Sequence, residues 1–263
     1  MADRVLPGPV ASQSSAAASC VNIHTRKIYD GCKDKDCVED LRVYPTVSSQ
    51  AVIDSAFSVR PDSATLIYAD VSVDEISFNR GYYTVDVTYF YRITGETFPG
   101  GVPITGLAVF DKRVILYGSE GRVKTFSSAD GFDAISTAGG APTAVVEAVD
   151  PIALNLRICD PNGCPDTELR TIPSAILEAI GEDVSLSGAG KRLYVTLGQF
   201  SVIRLERDAQ LSLTNACSFF PSKECVGSSD DDPCTLFSRV CFPVDEFSPP
   251  DSLPQEENYR DFV

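Results

Sequence analysis

From Gly81 to Thr94 the chain reads GYYTVDVTYFYRIT, and from Gly106 to Phe126 it reads GLAVFDKRVILYGSEGRVKTF. In the first run Val85, Val87, Tyr89, Tyr91 and Ile93 fall at alternate positions, with Thr84, Asp86, Thr88, Phe90 and Arg92 between them. Successive side chains of a strand point to opposite faces, so this alternation predicts a strand with one dry face. Tyr82 and Phe90 make the other face partly apolar, which predicts a second layer or another subunit over it. Shorter strand-like runs flank these two. The fold class is mainly β: antiparallel sheets, sandwich-like, with two short helices and an irregular cysteine-bearing C-terminal segment.

Toward the N-terminus, Val21–Tyr29 and Leu41–Val47 read as strands separated by a charged, turn-rich loop that carries Cys32 and Cys37. SSQAVIDSAFSV follows, with a Ser cap and Val52, Ile53, Ala56 and Phe57 at helical spacing, and predicts one short helix on the sheet. Ala64–Phe78 alternates again and enters the central strand through a tight hairpin at Asn79-Arg80-Gly81. Between Ile93 and Leu107, TGETFPGGVPITG reads as a Gly- and Pro-rich loop.

Toward the C-terminus, Gly118–Gly121 predicts a hairpin into Arg122–Phe126, and Ser127–Pro142 a long interaction loop. Thr143–Ile158 is extended, with Pro151 interrupting it at an edge or bulge. Pro173–Ile180 predicts a second helix stopped by Gly181, and Lys191–Leu213 holds a further strand pair. The chain thus divides into an N-terminal arm (1–19), a β-rich core of one domain or two similar β units (20–214), a cysteine-bearing segment (215–247) and an acidic, Pro-rich tail (248–263).

A chain of 263 residues buries roughly 70–75% of its unfolded surface, so it folds without needing disulfides. The net charge of −15 argues against nucleic acid or an anionic membrane surface as partner. From Asn215 onward ten Asp and Glu face three Lys and Arg, a local net of −7, which predicts a solvated periphery. No continuous apolar stretch resembles a signal peptide, and none approaches the ~18 residues of a membrane helix. The sequence therefore predicts synthesis in the cytoplasm.

The cysteines stand apart from this picture. There are nine of them, Cys20, Cys32, Cys37, Cys159, Cys164, Cys217, Cys225, Cys234 and Cys241, many for a chain with no export signal. All nine are candidates for disulfides or crosslinks, and an odd number leaves one thiol over. Cys159 and Cys164 bracket a four-residue turn and read as a local pair. Cys32-x4-Cys37 with His24 offers zinc ligands, yet the spacing is wider than a C-x2-C knuckle and there is one His in the chain. Asp230–Asp232 lacks the alternating oxygen ligands of a calcium loop. Around Gly190-Lys191, Ser185 and Arg192 stand where a phosphate loop needs Gly and Ser or Thr. No metal, cofactor or catalytic constellation is predicted, and the chain does not read as an enzyme.

Several stretches resemble a family of cysteine-rich proteins from the exosporium basal layer of clostridial spores: KIYDGCKDKDCVEDLRVY, VTYFYRIT, KRVILYGSEGRVKTFSS, VVEAVDPIAL and DDPCTLFSRVCFPVDEFSPP. The similarity runs from about Cys20 to Pro250. It implies a structural protein made in the mother-cell cytoplasm, deposited on the spore surface (exosporium), and self-assembling there into a hexameric lattice or a filament. Its partners would be copies of itself and other spore-surface proteins, with cysteine crosslinks reinforcing the layer. The family's members carry more cysteines, often adjacent, whereas this chain has no Cys-Cys pair. From the residues alone, a zinc-binding module and a monomeric β-sandwich binding protein stay open as alternatives.

Overall fold

The structure, a computed structural model, describes residues 21–121, 140–161, 171–186, 190–213, 234, 237–238 and 240–247. Among these, seven strands form one antiparallel sheet: β1 (Val21–Pro45), β2 (Ser58–Glu75), β3 (Tyr82–Phe98), β4 (Pro103–Tyr117), β5 (Thr143–Ala148), β6 (Ile152–Cys159) and β7 (Arg192–Leu213). The order is β2-β3-β4-β1-β7-β5, and β6 also pairs with β7. β5 and β6 lie along successive parts of β7, one against Ser201–Glu206 and the other against Arg192–Gly198. The break between them falls at residues 149–151, so Pro151 interrupts the extended run where the sequence places it.

The sheet curls until its ends meet. β2 lies against β6, and the Leu66 N–H donates to Asp150 Oδ1 at 2.8 Å. The result is nearly a barrel, so the two inner faces expected of a sandwich are opposite walls of one rolled sheet. Its interior holds Val85, Val87, Tyr89, Tyr91 and Ile93 from β3, all at most 1% exposed, with Leu193, Val195, Leu197, Ile203 and Leu205 from β7. The alternation in GYYTVDVTYFYRIT is thus the alternation of this wall.

Around Phe90 the outer face of β3 is covered by the chain itself, whereas Tyr82 is 39% exposed. Phe90, Leu107 and Val109 pack against Ile176 of α2 (Ser174–Ile180) and against Ile172 just before it. Arg92 holds the carbonyl of Ala179, and Gly181 ends the helix at φ 87°, in the left-handed region that glycine enters without steric cost. α1 (Val47–Ser55) is capped by Thr46, whose Oγ1 accepts from the Ser49 N–H at 3.3 Å. The cap is therefore Thr46 and not a Ser. Ala56 and Phe57 fall beyond the helix, and Phe57 stands 83% exposed instead of packing on the sheet. A single helical turn, α3 (Val244–Phe247), lies near the C-terminus.

Two expected loops are strand. The charged stretch around Cys32 and Cys37 continues β1 without interruption, and β7 pairs with it from Val21 to Val43 across bulges at Ile28/Asp30 and Val38/Leu41. Its charges sort by face, which a strand does automatically and a composition count cannot detect. The Gly- and Pro-rich TGETFPGGVPITG is mostly the ends of β3 and β4, joined by a short turn with a cis Phe98–Pro99 bond. Gly95 and Gly106 are there for space. A Cβ on Gly95 would lie 2.6 Å from Arg60 O and Leu156 Cδ2, and one on Gly106 would lie 2.6 Å from Val43 Cγ1. The Asn79-Arg80-Gly81 hairpin forms as expected, whereas Arg122–Phe126 and most of Ser127–Pro142 lie outside the described residues.

Candidate functional site

The inner wall is not uniformly apolar. On β4 the inward phase runs Ala108, Phe110, Lys112, Val114, Leu116, placing a lysine among core residues. On β1 the inward phase runs Cys32, Asp34, Asp36, while Lys33 and Lys35 take the other face. β3 contributes Tyr89 and Tyr91, and β7 contributes Gln199 and Ser201, both fully buried. Register brings these together: Asp34 stands opposite Ser201, Asp36 opposite Gln199, and Val87 opposite Lys112.

Lys112 Nζ contacts the Oδ2 atoms of both Asp34 and Asp36. The Lys112 and Asp34 side chains are 8% and 10% exposed, and that of Asp36 is 20% exposed. Taking charges out of water is costly, by several kcal/mol per ion even when they are paired. Burial accordingly pushes the Lys112 ammonium down to about 7 and the Asp36 carboxyl up to about 7. The Asp34 carboxylate is oriented by the backbone, because the Lys35 N–H donates to its Oδ1 at 2.7 Å. Oδ2 is then the oxygen left facing the amine.

Above this triad the tyrosines are stacked, with Tyr89 lying between Tyr91 and Phe110. Burial raises the Tyr89 hydroxyl to about 12, reinforced by the Asp36 charge. Burial likewise raises Tyr91 well above its ordinary value. Gln199 Nε2 donates to the carbonyls of Val149 at 2.9 Å and Phe200 at 2.7 Å. Tyr89 Oη, Tyr91 Oη, Gln199 Oε1 and Ser201 Oγ are buried with no hydrogen-bond partner among the described residues.

The cysteines lie mostly elsewhere. Cys37, on the outer phase of β1, is disulfide-bonded to Cys234 across a sequence separation of 197. Cys32 and Cys159 are also disulfide-bonded, and Cys241 is a free thiol. Cys20, Cys164, Cys217 and Cys225 lie outside the described residues, and with them Asp230–Asp232 and the proposed Cys159–Cys164 pairing. His24 is exposed on β1 opposite Gln210. Among the described residues no group of three or more His, Cys, Asp or Glu is placed to hold a metal. At Lys191, the backbone N–H donates to Asp54 Oδ1 at 2.9 Å and Nζ to the Ala56 carbonyl at 2.7 Å, so this lysine anchors α1.

The segment expected to be a solvated periphery docks in part on the barrel. Phe237 is 2% exposed and packs on Phe200 with ring centroids 4.8 Å apart. Lys35 Nζ donates to the Ser238 carbonyl at 2.7 Å. Gly198 makes room for this contact, since a Cβ there would lie 2.5 Å from the Phe237 ring.

No sequence motif marks Lys112, Asp34 and Asp36. The signal was present as a lysine in the apolar phase of AVFDKRVIL and as alternating charges in KDKD. No protein-family model matches the chain, and neither a curated protein nor a solved structure is significantly similar to it.

Proposed function

We propose that the protein is a structural building block that self-assembles into an ordered surface layer or filament, as its resemblance to spore exosporium proteins implies, with disulfides reinforcing the subunit. The observation that carries this is covalent. Of the five described cysteines, four are disulfide-bonded, and one of those bonds ties the C-terminal segment to the barrel wall. Such bonds persist in oxidising surroundings, which an exposed spore layer meets after the mother cell lyses.

Exposed aromatic side chains supply contact points for a second copy. Phe57 and Phe98 stand at one end of the β2–β3 hairpin, 83% and 59% exposed, and Phe78 stands at its turn, 91% exposed. Contacts made through opposite ends of the hairpin would be head-to-tail, an arrangement that closes into rings or runs on as filaments.

Negative-stain electron microscopy of the purified protein, with and without reductant, tests the proposal. Rings, sheets or fibres are expected in at least the oxidised sample. Dispersed monomers under both conditions would overturn it and favour a monomeric binding protein.

A further inference from the structure

We propose that Lys112 and Asp34 are joined by an intramolecular amide bond between Lys112 Nζ and Asp34 Cγ, formed inside the barrel with Asp36 relaying the proton. The bond would stitch β4 to β1.

The topology shows why a link belongs here. β1 and β4 pair through their backbones from Val43–Pro45 to Gly106–Ala108. Beyond that short ladder the two strands are connected through side chains: Lys112 to Asp34 and Asp36, and the Tyr117 N–H to Asp30 Oδ2 at 3.1 Å. A covalent bond at Lys112 would close the open part of this seam.

The geometry supplies each element of an amide condensation. Lys112 Nζ already touches Asp34, so the reaction is intramolecular and its entropic cost has been met by folding. Burial favours the neutral amine, which is the nucleophilic form, and the protonated Asp36 carboxyl, which is the acid form. The nitrogen lone pair attacks Asp34 Cγ and a C–N bond forms. Negative charge then develops on Oδ1, where the Lys35 N–H at 2.7 Å donates to it. Asp36 gives its proton to the departing Oδ2, takes one from the nitrogen and passes it to the same oxygen. The C–O bond breaks, one water leaves, and Asp36 is left as a carboxylate. The sum is neutral amine, Asp34 carboxylate and Asp36 carboxylic acid giving amide, water and Asp36 carboxylate, with no oxidant, reductant or cofactor.

Two features favour Asp34 over Asp36 as the bonded partner. Asp34 has its second oxygen held by a backbone donor, and its side chain is the less exposed of the two. Around them the stacked rings of Tyr89, Tyr91 and Phe110 keep bulk water from competing with the amine.

Mass spectrometry of the full-length protein, reduced and denatured, decides the matter. The expected mass is below the sequence mass by one water. Digestion should yield a branched peptide joining the Asp34 and Lys112 segments, with no tryptic cleavage after Lys112. Lys112→Arg and Asp36→Ala should each show the full sequence mass, whereas Asp34→Asn should lose ammonia instead of water. An unshifted wild-type mass would overturn the proposal whether or not the variants fold. A shifted mass mapped to another residue pair would overturn the assignment, and a linked Asp36→Ala protein would remove Asp36 from its role.

Discussion

Lys112 is the residue on which the interior turns, because it is a cation placed where the pattern of β4 supplies only apolar groups. The burial of Asp36 beside it can be read from pH. In Lys112→Met no amide can form, and burial holds the Asp36 carboxyl above its ordinary 3.8. The folded state then binds its proton more tightly, so stability contributed by this group is greatest at low pH. It falls as pH rises above 3.8 and levels once the folded carboxyl has ionised, with a slope of at most about 1.4 kcal/mol per pH unit. Urea unfolding of Lys112→Met across this window should show the decline. A flat profile would mean that Asp36 is solvated. Individual residues of this kind were legible only by phase: Tyr89 and Tyr91 were assigned to the dry face from their spacing, but Asp34 and Asp36 were hidden in a stretch whose charge density suggested a loop.

Among the elements, the junction of β1 with β4 is the least supported by backbone pairing and depends on close approach at Gly106. A methyl group there would lie 2.6 Å from Val43 Cγ1 and 2.9 Å from the Tyr44 carbonyl. Gly106→Ala should therefore force the two strands apart and destabilise the protein by about 2–4 kcal/mol, measured as the shift in urea midpoint. A change under about 0.5 kcal/mol would show that the seam tolerates separation. Gly106 also explains why this region was expected to be a loop. Glycine is common in turns because of its backbone freedom, yet here it is used because a neighbouring strand crosses too closely for a side chain. α2 was legible from its apolar spacing and its Gly181 stop, whereas the end of α1 was not, because Phe57 fits a helical pattern and still leaves it.

At the scale of the whole molecule, the Cys37–Cys234 bond joins the barrel wall to the C-terminal segment. It works alongside Phe237, seated over Gly198 and against Phe200. Cys37→Ser should lower stability by about 2–5 kcal/mol, seen as a reduced thermal midpoint without reductant. An unchanged midpoint would mean that the Phe237 contact alone holds the segment. Cysteine positions could be counted from the sequence, but this pairing spans most of the chain and no spacing rule reaches that far.

By itself the sequence determined that the protein is antiparallel β, which residues of β3 face its core, where α2 starts and stops, and that its cysteines need an explanation. These are local matters, settled by alternation, capping and turn chemistry within a few residues. Only the tertiary structure decided that the sheet rolls nearly into a barrel, that α2 covers Phe90, and that Lys112 meets Asp34 and Asp36 inside. Each of those depends on which strands become neighbours, and contacts between residues far apart in the chain follow from the register of the whole sheet and not from the residues beside them.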